Sequence, residues 1–78
     1  MTIRVLFTGR VKPGKADITR QELGTLEEIR EVYTVRDGTF EILAIVEVPS
    51  LVEYKEFIEK VSENKHLVDF ESFIAVDS

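Results

Sequence analysis

Residues 3–11, Ile-Arg-Val-Leu-Phe-Thr-Gly-Arg-Val, are rich in β-branched and aromatic types and run into Lys12-Pro13-Gly14-Lys15. Proline followed by glycine marks a turn there, so the stretch predicts a first strand. Ala16, Thr19 and Leu23 then recur at helical spacing, Asp17 complements a helix N-terminus and Gly24 suits a C-terminal cap; together they predict a short helix. Residues 29–36 predict a second strand that meets Asp37-Gly38, a pair favoured in two-residue hairpin turns. An apolar third strand ends at Pro49, and Ser50-Leu51-Val52-Glu53 has capping-box spacing. From there Leu51, Tyr54, Phe57, Ile58 and Val61 form one helical stripe, with glutamates and lysines opposite, up to Asn64-Lys65. In the final segment Val68, Phe70, Ser72, Ile74 and Val76 alternate with Phe73 and Ala75, which predicts a last strand.

Strand, helix, strand, strand, helix, strand is the split βαβ pattern. The expected fold is therefore α+β and ferredoxin-like, βαββαβ with a four-stranded antiparallel sheet, as one domain over residues 1–78. A turn at Asp37-Gly38 would oppose Val35 with Phe40, Tyr33 with Ile42 and Ile29 with Val46 on the core face. It would leave Val32, Leu43 and Ile45 on the other face, joined by Phe73. A face that apolar is unsuited to water. A second copy of the chain would cover it, so Val32, Leu43, Ile45 and Phe73 are the expected interface of a homodimer of the dimeric α/β barrel type.

With 44% apolar and 32% charged residues among 78, the chain has the composition of a folded domain. At this length it buries only about 60–65% of its unfolded surface, and association would add to that. No cysteine is present, which removes disulfides, thiolate nucleophiles and sulfur metal sites. His66 stands alone in a predicted loop and reads as a plain loop residue; no metal or cofactor is expected. Glu27, Glu28 and Glu31 lack the alternating acids and central glycine of a calcium loop and read as a solvated rim. A formal charge of −5 opposes direct nucleic-acid binding. There is no apolar run near the roughly 20 residues of a membrane span and no secretory signal pattern, so a cytoplasmic location away from membranes is expected.

The run Leu26 to Tyr33, then Gly38-Thr39-Phe40-Glu41, an apolar strand, Val48-Pro49 and Tyr54 in the following helix resemble the effector-binding (RAM) domain of the Lrp/AsnC transcription regulators. The likeness extends over nearly the whole chain. The family's Gly-x-aromatic-Asp signature here ends in the longer Glu41, Ser72 stands where the family usually has Thr, and His66 replaces a frequent Gly. The resemblance implies dimers formed sheet to sheet and larger cyclic oligomers whose interfaces hold an amino-acid effector. It also implies docking to a full-length regulator of the same family. The site it implies comprises Arg36, Asp37, Gly38, Thr39, Phe40, Glu41 and Ser72. Family members usually begin with a helix-turn-helix domain, and this sequence starts at the first strand, as a stand-alone version would.

Each of these residues also has a plainer reading. Glu41 can serve as a solvated tip charge instead of an ammonium partner, Phe40 as core instead of pocket floor, and Ser72 as a backbone-satisfied hydroxyl. Gly9 marks either a bulge or a close approach. The rival to a non-enzymatic binding module is a small dimeric enzyme of the monooxygenase or isomerase type. Its sheet-to-helix cavity would be lined by Tyr33, Ile42, Phe57 and Phe70, with Tyr33 the one candidate acid. A purely structural oligomer is the third possibility.

Overall fold

The computed structural model describes residues 2–75, in which β1 (Ile3–Val11), α1 (Ala16–Leu23), β2 (Ile29–Thr34), β3 (Ile42–Val48), α2 (Leu51–Ser62) and β4 (Leu67–Ala75) follow one another. Val76, expected on the last strand, lies outside the described residues. The two helices start differently, and only α2 has a side-chain cap. In α1 the Thr19 hydroxyl donates to the Lys15 carbonyl at 2.6 Å, and Asp17 sits in the first turn. In α2 the Ser50 hydroxyl accepts from the Val52 N–H at 3.2 Å and donates to the Glu53 carboxylate. This is a single cap, one donor short of the expected box: Ser50 takes the Val52 N–H, and Glu53 holds the Ser50 hydroxyl. Gly24 does occupy the cap of α1, but at a right-handed φ of −64°; its use is the close approach of the Arg20 carbonyl, 3.2 Å from where a Cβ would stand.

All neighbouring strands are antiparallel, in the order β2-β3-β1-β4. Both helices lie on one face of the sheet, which gives the ferredoxin-like fold that the element order predicts. On that face Val5, Phe7, Ile42, Ala44, Val46 and Val48 meet Leu23 of α1 and Phe57 and Val61 of α2, all buried. The Phe7 ring stands edge-on to Phe57 at 6.0 Å and stacks on Phe70 at 5.3 Å, so it joins β1 to both α2 and β4. Gly9 makes a close approach, since a Cβ there would stand 2.8 Å from the Leu67 side chain. A register shift follows immediately, at Arg10/Val11.

The β2–β3 hairpin differs from the expected register by one residue. Tyr33 faces Leu43, Val32 faces Ala44 and Thr34 faces Ile42, while an irregularity between Ile29 and Glu31 restores the expected pair Ile29 and Val46. A one-residue slip moves each side chain to the opposite face. Val32 therefore does not join the open face: it packs against the core beside Ala44. Tyr33 takes its place, 48% exposed and donating its hydroxyl to Glu31. Leu6 (39% exposed), Leu43, Ile45 and Phe73 (52% exposed) complete an apolar patch, with Leu6 directly between Ile45 and Phe73. Arg4 and Arg30 bracket Glu47 at one end of the patch, at 2.9 and 3.0 Å.

His66 lies in the turn before β4, as expected, and both it and Glu28 are tied into the structure. His66 is buried, its Nδ1 3.0 Å from Glu22 Oε1, its N–H donated to Asn64 Oδ1 and its carbonyl accepting from the Lys12 N–H. It ties α1, the end of β1 and the turn before β4 together. Glu28 is ion-paired with Lys60 at 2.6 Å and its side chain is only 12% exposed. It is no solvated rim.

Hydrogen bonds hold four carboxyls below their ordinary values. Asn64 and His66 do so for Glu22, Arg4 and Arg30 for Glu47, Ser50 for Glu53, and Arg10 for Asp69. In the unfolded chain these groups titrate at ordinary carboxylate values, so on acidification the unfolded state takes up protons first. Their stabilisation is complete above that range and is lost as pH falls through the lowered folded values. The melting temperature should be level from about pH 7 to 5.5 and fall between about pH 4.5 and 3; scanning calorimetry that found it flat to pH 3 would contradict these hydrogen bonds.

Candidate functional site

The chain between β2 and β3 is built by Glu41. The Val35 N–H donates to the Glu41 carbonyl at 2.8 Å, and the Glu41 N–H donates to the Gly9 carbonyl at 3.0 Å. Its carboxylate then accepts from the Val11 N–H at 2.9 Å. Successive N–H groups of a strand point to opposite sides. Lys12 donates to His66 on the β4 side, so Val11 points to the β3 side, where β3 has not yet begun, and the Glu41 side chain supplies the missing acceptor. The loop is therefore Arg36 to Phe40 instead of a two-residue turn, and its left-handed residue is Asp37 at φ 61°; among the described residues Gly14 is the only glycine with positive φ.

Replacing Glu41 by Ala should thus cost about 1–3 kcal/mol by leaving the Val11 donor unpaired, whereas Gln keeps an oxygen there and should cost well under half as much. Equal losses for both in urea unfolding would contradict this role.

Under the loop lies a cleft of about 480 Å³, lined by Thr8, Gly9, Arg10, Thr39, Phe40, Asp69, Phe70 and Glu71. Strand register places its charges. Arg10 faces Asp69 and Thr8 faces Glu71 across β1 and β4. The Arg10 Nε donates to both Asp69 oxygens, at 2.9 and 3.2 Å, and its Nη2 donates to Oδ2. This fork lowers the Asp69 carboxyl and raises the Arg10 guanidinium from their ordinary values. The side chain of Glu71, exposed, makes no hydrogen bond or ion pair among the described residues.

Of the residues expected at the site, Thr39 and Phe40 line the cleft, Arg36, Asp37 and Gly38 are exposed on the loop above it, and Glu41 is turned to the end of β1. Ser72 is not brought to them within the chain. It lies on the helix side of β4, hydrogen-bonded to the Tyr54 hydroxyl, in a separate groove with Lys55, Ile58, Glu59 and Phe70. Thr8, Arg10, Asp69 and Glu71 were missed by sequence reasoning. The polar positions of the first strand were visible, but their meeting with the last strand depends on a register that no local pattern encodes. The rival catalytic cavity is not assembled either: Ile42 and Phe57 are fully buried, and Tyr33 lies on the opposite face. Its hydrogen bond to Glu31 raises the Tyr33 hydroxyl above its ordinary value, away from the range useful to an acid near neutral pH. Among the described residues no group of three His, Cys, Asp or Glu side chains is arranged to hold a metal ion, and no helix is long and apolar enough to cross a membrane.

The sequence profile of the family described as the Lrp/AsnC ligand binding domain matches residues 5–78. No curated protein matches the chain. Among solved structures, a hypothetical protein of Pyrococcus horikoshii superposes with a TM-score of 0.90 at 22% identity, covering 97% of this chain and 92% of its own. A protein of Thermus thermophilus gives 0.89 at 17% identity, over 97% and 95% of the two chains. AsnC of E. coli gives 0.86 at 18% identity, and there 97% of this chain matches 52% of the regulator. At these identities the structures establish a shared fold.

Proposed function

Because this chain belongs to the Lrp/AsnC ligand-binding domain family, we propose that it is an effector-binding module that takes an amino acid into the cleft under the Arg36–Phe40 loop and assembles through the open face of its sheet. The cleft carries this reading. An amino acid needs a cation for its carboxylate, an acid for its ammonium, hydroxyls and an apolar wall, and Arg10, Asp69, Thr8, Thr39 and Phe40 supply them in one place. Assembly rests on the patch of Leu6, Tyr33, Leu43, Ile45 and Phe73, which an isologous partner would cover. Because the loop lies at the edge of that face, a ligand in the cleft would favour one assembly state over another through differential affinity. Larger rings and docking to a regulator of the same family follow from the same logic, and the charge of −5 argues for signalling through protein contacts instead of direct DNA contact.

A thermal-shift screen of the twenty amino acids tests the proposal. A ligand at about a hundredfold excess over its Kd adds about 2.7 kcal/mol to the native state, which for a domain of this size is about 10 °C or more. No shift with any of the twenty would leave a purely structural oligomer.

A further inference from the structure

We propose, on the premise of that effector-binding reading, that the cleft selects an amino acid with a second cationic group, of the lysine or arginine type, over neutral and acidic ones. The ionised groups on its wall are one cation, Arg10, against two carboxylates, Asp69 and Glu71. They are not equivalent. Arg10 and Asp69 neutralise each other through the fork at 2.9 and 3.2 Å, so the pair presents adjacent positive and negative edges. Those edges match the α-carboxylate and α-ammonium that every amino acid carries. The charge left over is Glu71, which has no partner among the described residues.

Register makes the leftover charge directional. Asp69 and Glu71 sit two positions apart on β4 with no irregularity between them, opposite Arg10 and Thr8 respectively. Their side chains therefore leave the same face about 7 Å apart. A ligand whose α-groups engage the Arg10–Asp69 pair must extend its side chain about that far to reach Glu71, as the stem of a diamino acid does. Phe40 flanks the path as apolar surface for such a stem. A neutral side chain leaves Glu71 uncompensated, and an acidic one adds repulsion.

Isothermal calorimetry on the full chain with L-lysine, L-leucine and L-glutamate near pH 7 tests this, with Glu71→Gln in parallel. Lysine should bind about tenfold or more tighter than leucine, as one charge-assisted contact provides, and glutamate more weakly than either. The lysine advantage should shrink with added salt. Glu71→Gln should weaken lysine about tenfold, bring its affinity close to that of leucine and leave the melting temperature where it was, since no side-chain contact within the chain is removed. Leucine or glutamate binding as tightly as lysine, or lysine binding indifferent to Glu71→Gln, would overturn the selectivity while the effector-binding reading stands. No binding by any amino acid would overturn that reading and the selectivity with it.

Discussion

Phe7→Ala is expected to remove about 3–5 kcal/mol of unfolding free energy, the range for truncating a fully buried phenylalanine. Phe7 has no exposed surface and is one of the largest of the fully buried side chains. Its ring lies between Phe57 of α2 and Phe70 of β4, so truncation forfeits two aromatic contacts besides its own burial. The cavity would open under β1, the strand that pairs with both β3 and β4. A chain of 78 residues has at best about 5–15 kcal/mol of stability to lose, so a large part of the population should unfold at ambient temperature. Phe7→Leu, which fills much of the space, should lose far less. Urea titration followed by circular dichroism measures both, and a loss below about 1 kcal/mol for Phe7→Ala would mean that the centre of the core lies elsewhere.

Leu43→Lys should separate the proposed assembly while leaving the fold intact. Leu43 stands on the open face, between Tyr33 of β2 and Thr8 of β1, so in the single chain a lysine there can extend its ammonium into water. Under a partner sheet the same ammonium would be desolvated. Two acids of that face are committed, Glu47 to Arg4 and Arg30 and Glu31 to the Tyr33 hydroxyl, and Glu71 lies a strand further off, across Thr8 of β1. An uncompensated charge in such an interface costs several kcal/mol, which raises the dissociation constant by about a hundredfold or more. Analytical ultracentrifugation at micromolar concentration should show the parent as a dimer or larger and Leu43→Lys as a monomer with an unchanged circular dichroism spectrum. Equal masses for the two would place the interface on another surface.

The elements were legible because their signals are local. The bounds of the first strand and first helix follow from Pro13-Gly14 and from the spacing of Thr19 and Leu23, and Phe57 and Val61 are buried in α2 as their stripe predicts. Leu51, on the same stripe, is 59% exposed at the first turn, beyond the reach of the sheet. The hairpin was misread for a non-local reason. Asp37-Gly38 favours a two-residue turn, but Glu41 bonds to Gly9 and Val11 of β1, which withdraws residues from the hairpin and shifts its register by one. That shift put Tyr33 and Val32 on the wrong faces. The cleft was half legible: Thr39 and Phe40 belong to a recognisable loop, whereas Arg10, Asp69 and Glu71 meet only through the pairing of the first strand with the last. His66 is a loop residue as expected, but its burial was not legible because its partner Glu22 is 44 residues away.

The proposed effector site is formed by the Arg36–Phe40 loop and the β1–β4 pair. Backbone amide NMR of the uniformly labelled chain during titration with the amino acid that stabilises it most tests this residue by residue. The largest shifts should fall on Gly9, Arg10, Thr39, Phe40, Phe70 and Glu71, the residues around the cleft. Shifts confined to Tyr54, Ile58 and Ser72 in the groove beside α2, or no shifts with any amino acid, would contradict it.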